Sequence, residues 1–145
     1  MDNRSVLKSI GWLSSLITRR LDQLCAARKL SGAEGRILHF VMTIDHDIFQ
    51  KDIEYDSHLK ASTVSELLKN MEHKGLIRRE SVAHDARLKK IVATEKVAKL
   101  KEEVLSDMAQ LDSDLTEGIS DEELKTFGEV CFKFIENLNK LEERK

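Results

Sequence analysis

Between Lys60 and Thr94 the chain changes its period. Val64, Leu67, Leu68 and Met71 fall at i, i+3, i+4 and i+7, one face of an α-helix. Gly75 then follows His73-Lys74, where a helix C-terminus takes a left-handed residue and basic side chains meet the negative dipole end. Beyond it, Leu76-Ile77-Arg78-Arg79 and Leu88-Lys89-Lys90-Ile91-Val92 predict two strands around a loop at residues 83–87. No Asn-Gly or Asp-Gly pair is present, so the loop is expected to exceed two residues.

A helix followed by a basic-tipped hairpin describes a winged helix. A helix about 10–12 Å across fits the DNA major groove, and an arginine on the hairpin tip reaches the neighbouring minor groove.

The remaining elements are read as helices. Val6, Ile10, Leu13, Ile17, Leu21 and Leu24 make one stripe of a helix over residues 5–27. Ser31 followed three residues later by Glu34 spells a capping box opening a second helix, through Ile37, Leu38 and Val41 to about Ile44. A short third helix starts near Phe49, carries Ile53 and ends near His58-Leu59, and the fourth begins close to Ala61. Thr63 with Glu66 has capping-box spacing, and capping of the fourth helix is the bland alternative role for Ser62 or Thr63.

Thr94 is expected to cap a fifth helix of some five turns carrying Val97, Leu100, Val104, Met108, Leu111 and Leu115. Ser120 and Glu123 spell the box of the last helix. Its Leu124, Phe127, Cys131, Phe134, Leu138 and Leu141 step by three and four, a heptad-like seam that either an intramolecular bundle or a dimer satisfies.

The 145 residues suit one domain with a real core. Zero prolines and six glycines leave long helices little interrupted. The net charge of −2 conceals an asymmetry: residues 1–50 are +2, residues 51–101 are +4 and residues 102–145 are −8. A basic middle beside an acidic tail fits one surface for a polyanion and another turned away from it. Met1-Asp2-Asn3-Arg4 leads into apolar residues interrupted by Lys8, Arg19 and Arg20, without a signal-type core or an 18-residue apolar run; a cytoplasmic chain without a membrane span is expected.

Three helices and a hairpin flanked by long helices resemble the MarR (multiple-antibiotic-resistance regulator) family of winged helix-turn-helix transcriptional regulators. The resemblance rests on Ser62-Thr63-Val64-Ser65 with Leu67-Leu68, Met71 to Arg79, Asp85 to Lys90, Thr94-Glu95-Lys96 and, more weakly, Gln50 to Glu54. Ala93 stands where the family usually has leucine, and Val97-Ala98 where a glycine or alanine often follows. The implied fold is mainly α with a small β-hairpin wing. In it residues 31–101 form the winged-helix lobe, and residues 1–30 and 102–145 form dimerisation helices, within a single MarR-type domain.

The function implied is that of a homodimeric regulator, commonly a repressor. Each subunit would set the fourth helix in a major groove of a pseudo-palindromic double-stranded operator and the wing in the adjacent minor groove. Ser62, Thr63 and Ser65 would contact base edges or phosphates, with Lys69 a turn later. Arg87 would enter the minor groove while Asp85 braces an arginine, Arg87 itself being nearest. Lys89, Lys90, Arg78, Arg79, Lys51 and Lys60 would attract phosphate, and His58, His73 and His84 lie on or near the same face. The bland alternatives are a solvated turn at Asp85-Ala86-Arg87 and ordinary exposed lysines.

Members of the family commonly bind small aromatic or phenolic effectors in a cleft beside the DNA-binding lobe. Trp12, Arg19, His39 and Met42 are candidates to line it, with packing the simpler role for each. Cys25 is weighed as a redox sensor but matches no oxidant-sensing motif, and Cys131 belongs to the seam. No cofactor or metal is expected: the fifth helix holds no histidine, and Asp45-His46-Asp47 is a turn. No local motif assembles a nucleophile, base and orienting group, so an enzyme is not expected. The competing function is a winged-helix module that binds protein rather than DNA. Arg87 beside Lys89 and Lys90, in a stretch of net +4, argues for DNA.

Overall fold

A computed structural model describes residues 5–144; the segment Met1–Arg4, on which the expected absence of a leader partly rests, lies outside the described residues. Seven helices and one hairpin occur in the order α1 (Val6–Ala26), α2 (Gly32–Thr43), α3 (Gln50–Ser57), α4 (Ala61–His73), β1 (Ile77–Val82), β2 (Asp85–Ala93), α5 (Glu95–Ala98), α6 (Lys101–Thr116) and α7 (Asp121–Glu143) among the described residues. Two compact units divide within α6, the first ending at Leu111 and the second starting at Asp112. Among the described residues, no helix is long and apolar enough to cross a membrane.

In the first unit α2, α3, α4 and the hairpin surround one core. Leu38, Val64, Leu68 and Met71 are wholly buried, with Ile53, Ile77, Ile91 and Val97 beside them. Each such aliphatic side chain contributes about 1.5–3 kcal/mol by leaving water. The Ser31–Glu34 box forms as spelled, Ser31 Oγ accepting from the Glu34 N–H at 3.1 Å and Glu34 Oε1 from the Ser31 N–H at 2.9 Å. α1 packs on α2 where Gly35 lets the backbones close: a Cβ there would lie 2.6 Å from Cys25 Sγ.

Three local expectations are corrected. Neither Ser62 nor Thr63 caps α4; Lys60 occupies the N-cap without a side-chain bond, and the Thr63–Glu66 box is absent. Helix formation starts two residues earlier than the hydroxyls require, because α3 ends at His58 in a left-handed conformation (φ 56°) and the chain turns at once. The long fifth helix is two, α5 and α6, parted at Lys99-Leu100. Thr94 precedes α5 but does not cap it with its side chain; its hydroxyl donates instead to the Gly75 carbonyl at 2.5 Å, which ties the hairpin's end to the turn after α4.

The third correction concerns the hairpin. β1 and β2 are joined by Ala83-His84 alone, shorter than the turn chemistry suggested. Ser81 faces Lys89 but Val82 faces Asp85, so Ala86, Arg87 and Leu88 bulge from the ladder; the irregularity moved from the turn into the strand. The Ile91 N–H also donates to the Ile48 carbonyl at 2.7 Å, anchoring β2 beside the start of α3. Gly75 takes the left-handed conformation (φ 72°) that ends α4, as its position predicts.

The second unit carries all of α7, opened by the Ser120–Glu123 box: Ser120 Oγ accepts from the Glu123 N–H at 3.1 Å and Glu123 Oε2 from the Ser120 N–H at 2.9 Å. No residue of α7 is buried. Its seam is open, with Phe127 57%, Leu138 62% and Leu141 56% exposed.

Candidate nucleic-acid interface

α4 presents two faces. Val64, Leu68 and Met71 seat it in the core, while Ser62, Thr63, Ser65, Glu66, Lys69 and Asn70 are exposed on the other side. The absence of a side-chain cap leaves the hydroxyls of Ser62 and Thr63 unspent and the first-turn N–H groups open, and no acidic residue stands in that turn. The positive end of the helix dipole and a row of short donors and acceptors therefore face the same way, which suits phosphate oxygens and base edges. Gln50, at the start of α3, donates from Nε2 to the Ala61 carbonyl at 3.3 Å and so ties the two helices of the motif together.

The bulge sets the wing tip. Asp85 Oδ1 accepts from the backbone N–H of Arg87 at 2.9 Å, so the carboxylate braces the arginine's main chain and not its guanidinium. The guanidinium is exposed. An Asx-type turn of this kind holds the bulge open while leaving the charge available.

The basic candidates fall into two groups that linear sequence did not separate. Lys51, Lys60, Lys69 and Arg87 are exposed and have no carboxylate partner among the described residues. Arg78 Nε instead lies 2.8 Å from Glu80 and Arg79 Nε 3.2 Å from Glu72. Lys90 lies between Glu80 and Asp47, 3.8 Å from each. Lys89 donates to Ser81 Oγ at 2.6 Å, a neutral partner that leaves its charge in place. The hydrogen bond from Arg78 holds the Glu80 carboxyl below its ordinary range, with the charge of Lys90 adding to the effect.

The effector candidates disperse. A groove of about 790 Å³ opens beside α2, its wall including Phe40, Ile44, Leu59 and Met108 with Arg36, His39 and His58. Of the four proposed residues it includes His39. Arg19 lines a shallow depression along α1, Trp12 is 65% exposed on α1, and Met42 packs against the core. Burial pushes the Cys25 thiol up, and nearby Asp107 reinforces the shift.

Sequence reasoning reads Glu34 as a capping-box partner and misses its second role: its side chain, 5% exposed, also receives Lys74 Nζ at 2.8 Å. The two are 40 residues apart and no spacing rule joins them.

A three-helix lobe with an antiparallel wing, a solvent-facing fourth helix and a cluster of unpaired cations defines the winged helix-turn-helix class. Residues 29–88 match the model of the MarR family. The chain is 25% identical over 134 residues to the HTH-type transcriptional regulator YwoH of Bacillus subtilis (strain 168), covering 92% of this chain and 96% of that one. Among solved structures, the MarR transcription regulator of Oenococcus oeni PSU-1 superposes with a TM-score of 0.81 at 27% identity, covering 91% of this chain and 99% of that one. The S. aureus MepR–DNA complex superposes with a TM-score of 0.85 at 25% identity, covering 92% and 98%. In sequence over residues 29–88 and in fold over most of its length, the chain is similar to winged helix-turn-helix transcriptional regulators of the MarR family.

Proposed function

We propose that the protein is a homodimeric repressor that binds a pseudo-palindromic operator, with α4 in successive major grooves and the Arg87 wing in the flanking minor grooves. The observation that carries this reading is the coincidence of unspent hydroxyls at Ser62, Thr63 and Ser65 with four unpaired cations, Lys51, Lys60, Lys69 and Arg87. Arg78, Arg79 and Lys90 already have acidic partners and play a smaller part, supporting the wing. The similar MepR structure is a complex with DNA, which supports the same use of this lobe.

Dimerisation is supported by apolar surface at both ends of the chain. α1 exposes Leu7 (81%), Trp12 (65%) and Val6 (52%), and α7 exposes Phe127, Phe132, Leu138 and Leu141. Patches of this kind mark association surfaces. The groove beside α2 has the volume of a small-ligand site. With an apolar wall and Arg36, His39 and His58 for polarity, it suits a small aromatic or phenolic acid. Because His58-Leu59 form the turn between α3 and α4, a ligand there would favour one placement of α4 over another, a population shift.

A gel-shift and footprinting titration on the DNA upstream of the protein's own gene tests this. Salt-sensitive protection of a pseudo-palindrome, with half-site centres about one helical turn apart, is expected. Absence of a shift on any genomic fragment at low salt would favour the protein-binding module instead.

A further inference from the structure

Among the described residues, Glu34 is the one buried charged side chain of the chain, at 4% exposure. It is engaged twice. Oε1 closes the capping box on the Ser31 N–H at 2.9 Å. The same carboxylate receives Lys74 Nζ, at 2.8 Å from Oε1 and 3.1 Å from Oε2. Lys74 is the C-cap of α4, and its ammonium also donates to the Lys29 carbonyl at 3.2 Å. Lys29 is held in a left-handed conformation (φ 59°) in the turn between α1 and α2. A β-turn residue so placed points its carbonyl where a regular helix end would not.

The other side of α4's end is clamped as well. Lys96 Nζ donates to the Lys74 carbonyl at 2.9 Å, and Thr94 Oγ1 to the Gly75 carbonyl at 2.5 Å. The neighbouring Arg28 spans from α1 to Glu103 at 2.7 Å and to Asp107, both on α6. The turn at residues 28–29 therefore joins three things: α1, α6 through Arg28, and the end of α4 through Lys74. The N-terminal half of α4 is seated in the core by Val64 and tied to α3 by the Gln50 bond, and the clamps on residues 74–75 add a polar fix on its direction at the C-terminal end.

We infer that Glu34 and Lys74 are positioning residues for operator recognition: their ion pair, buried on the Glu34 side and open to solvent on the Lys74 side, helps fix the angle of α4 against α2, without either side chain touching DNA. The inference rests on the DNA-binding reading above. Half-sites are read by two copies of α4 whose separation must match the duplex, so a small loss of angular definition in each penalises specific binding twice. Non-specific binding, driven by phosphate charge, does not require that match.

Two substitutions separate this role from its rivals. In Glu34→Gln the carboxamide retains the cap on Ser31 but releases the Lys74 charge. Positioning predicts that operator affinity falls about tenfold, within the range by which residues outside a site modulate it, while affinity for random duplex is unchanged. Were Lys74 a phosphate contact, freeing it would strengthen binding and steepen the salt dependence, and the inference would be overturned. In Lys74→Gln, positioning predicts the same loss of specific affinity with an unchanged slope of log K against log salt, and recovery in Lys74→Arg. A slope shallower by about two per dimer would show a phosphate contact instead.

A purely structural pair would lower the midpoint of thermal unfolding in both variants yet leave the ratio of specific to random binding as in the wild type; that result also overturns the inference. Wild-type protein is titrated alongside. Its failure to bind any duplex would refute the DNA-binding reading, whereas normal wild-type binding with unaltered variants would refute the positioning role alone.

Discussion

Arg87→Ala offers a quantitative handle on the wing. Among the basic candidates of each subunit, Lys51, Lys60, Lys69 and Arg87 lack an acidic partner and Lys89 is bonded only to a hydroxyl. A dimer then brings roughly eight to ten free cations to the duplex, and at about 0.9 counterions released per contact log K is expected to fall with log salt at a slope near −7 to −9. Removing Arg87 from both subunits deletes two contacts, so the slope becomes shallower by about 1.8. Extrapolated from 1 M to physiological salt, the same two contacts are worth about thirtyfold in affinity. Fluorescence anisotropy of a labelled operator duplex, titrated at several sodium chloride concentrations, measures both quantities.

Arg78→Ala supplies the contrast. Its guanidinium lies 2.8 Å from Glu80, so its charge is already offset and the slope should change by less than half as much. Glu80→Ala should conversely release Arg78, raising affinity and steepening the slope. The reasoning is refuted if Arg87→Ala leaves the slope unchanged, or if Arg78→Ala flattens it equally.

Further outcomes follow from packing and titration. Gly35→Ala sets a methyl 2.6 Å from Cys25 Sγ, about 1 Å inside ordinary contact; overpacking of about 1–3 kcal/mol should outweigh the roughly 1 kcal/mol gained in helix propensity. The penalty should vanish in a Cys25→Ala background, and urea unfolding of the four proteins gives the coupling. Because burial raises the Cys25 thiol pKa, the neutral thiol favours folding below the unfolded cysteine value, and that contribution is lost as pH rises towards the folded one. A thiol reagent at pH 8 should therefore label Cys131 well before Cys25, and equal rates in native protein would contradict the shift. Glu123 is held low chiefly by the Ser120 N–H, so its cap acts above the unfolded glutamate value and fails as pH falls through the folded one. In Ser120→Ala its carboxyl, followed by NMR, should titrate closer to an ordinary glutamate because the hydroxyl bond is lost; an unmoved titration would deny the hydroxyl's share.

Where a local rule had few competitors, sequence and structure coincide. The stripe of Val64, Leu68 and Met71, the boxes at Ser31 and Ser120 and the left-handed Gly75 each depend on residues within a turn or two. The departures have tertiary causes. Thr94 was spelled as a cap, but the Gly75 carbonyl 19 residues away took its hydroxyl. Ser62 and Thr63 were spelled as caps too, and the early turn after His58 made them surface residues instead. The wing loop reads as long because Ala83-His84 lacks the glycine or asparagine that a two-residue turn favours; the register puts the slack into the bulge at residues 86–88.

The amino-acid sequence by itself determined the first four helices, the hairpin and the last helix, the basic middle and the buried face of α4, because periodicity, capping and charge are properties of neighbouring residues. Only the tertiary structure decided which cations are free. Lys90 and Arg87 read alike along the chain, yet the former lies 3.8 Å from Asp47, a partner brought in by the fold, and the latter has no acidic partner among the described residues. Lys74, spelled as a dipole partner for its own helix, found Glu34 across 40 residues. An ion pair forms between whichever charges the packed core brings within a few ångströms, and that proximity is a product of the whole fold.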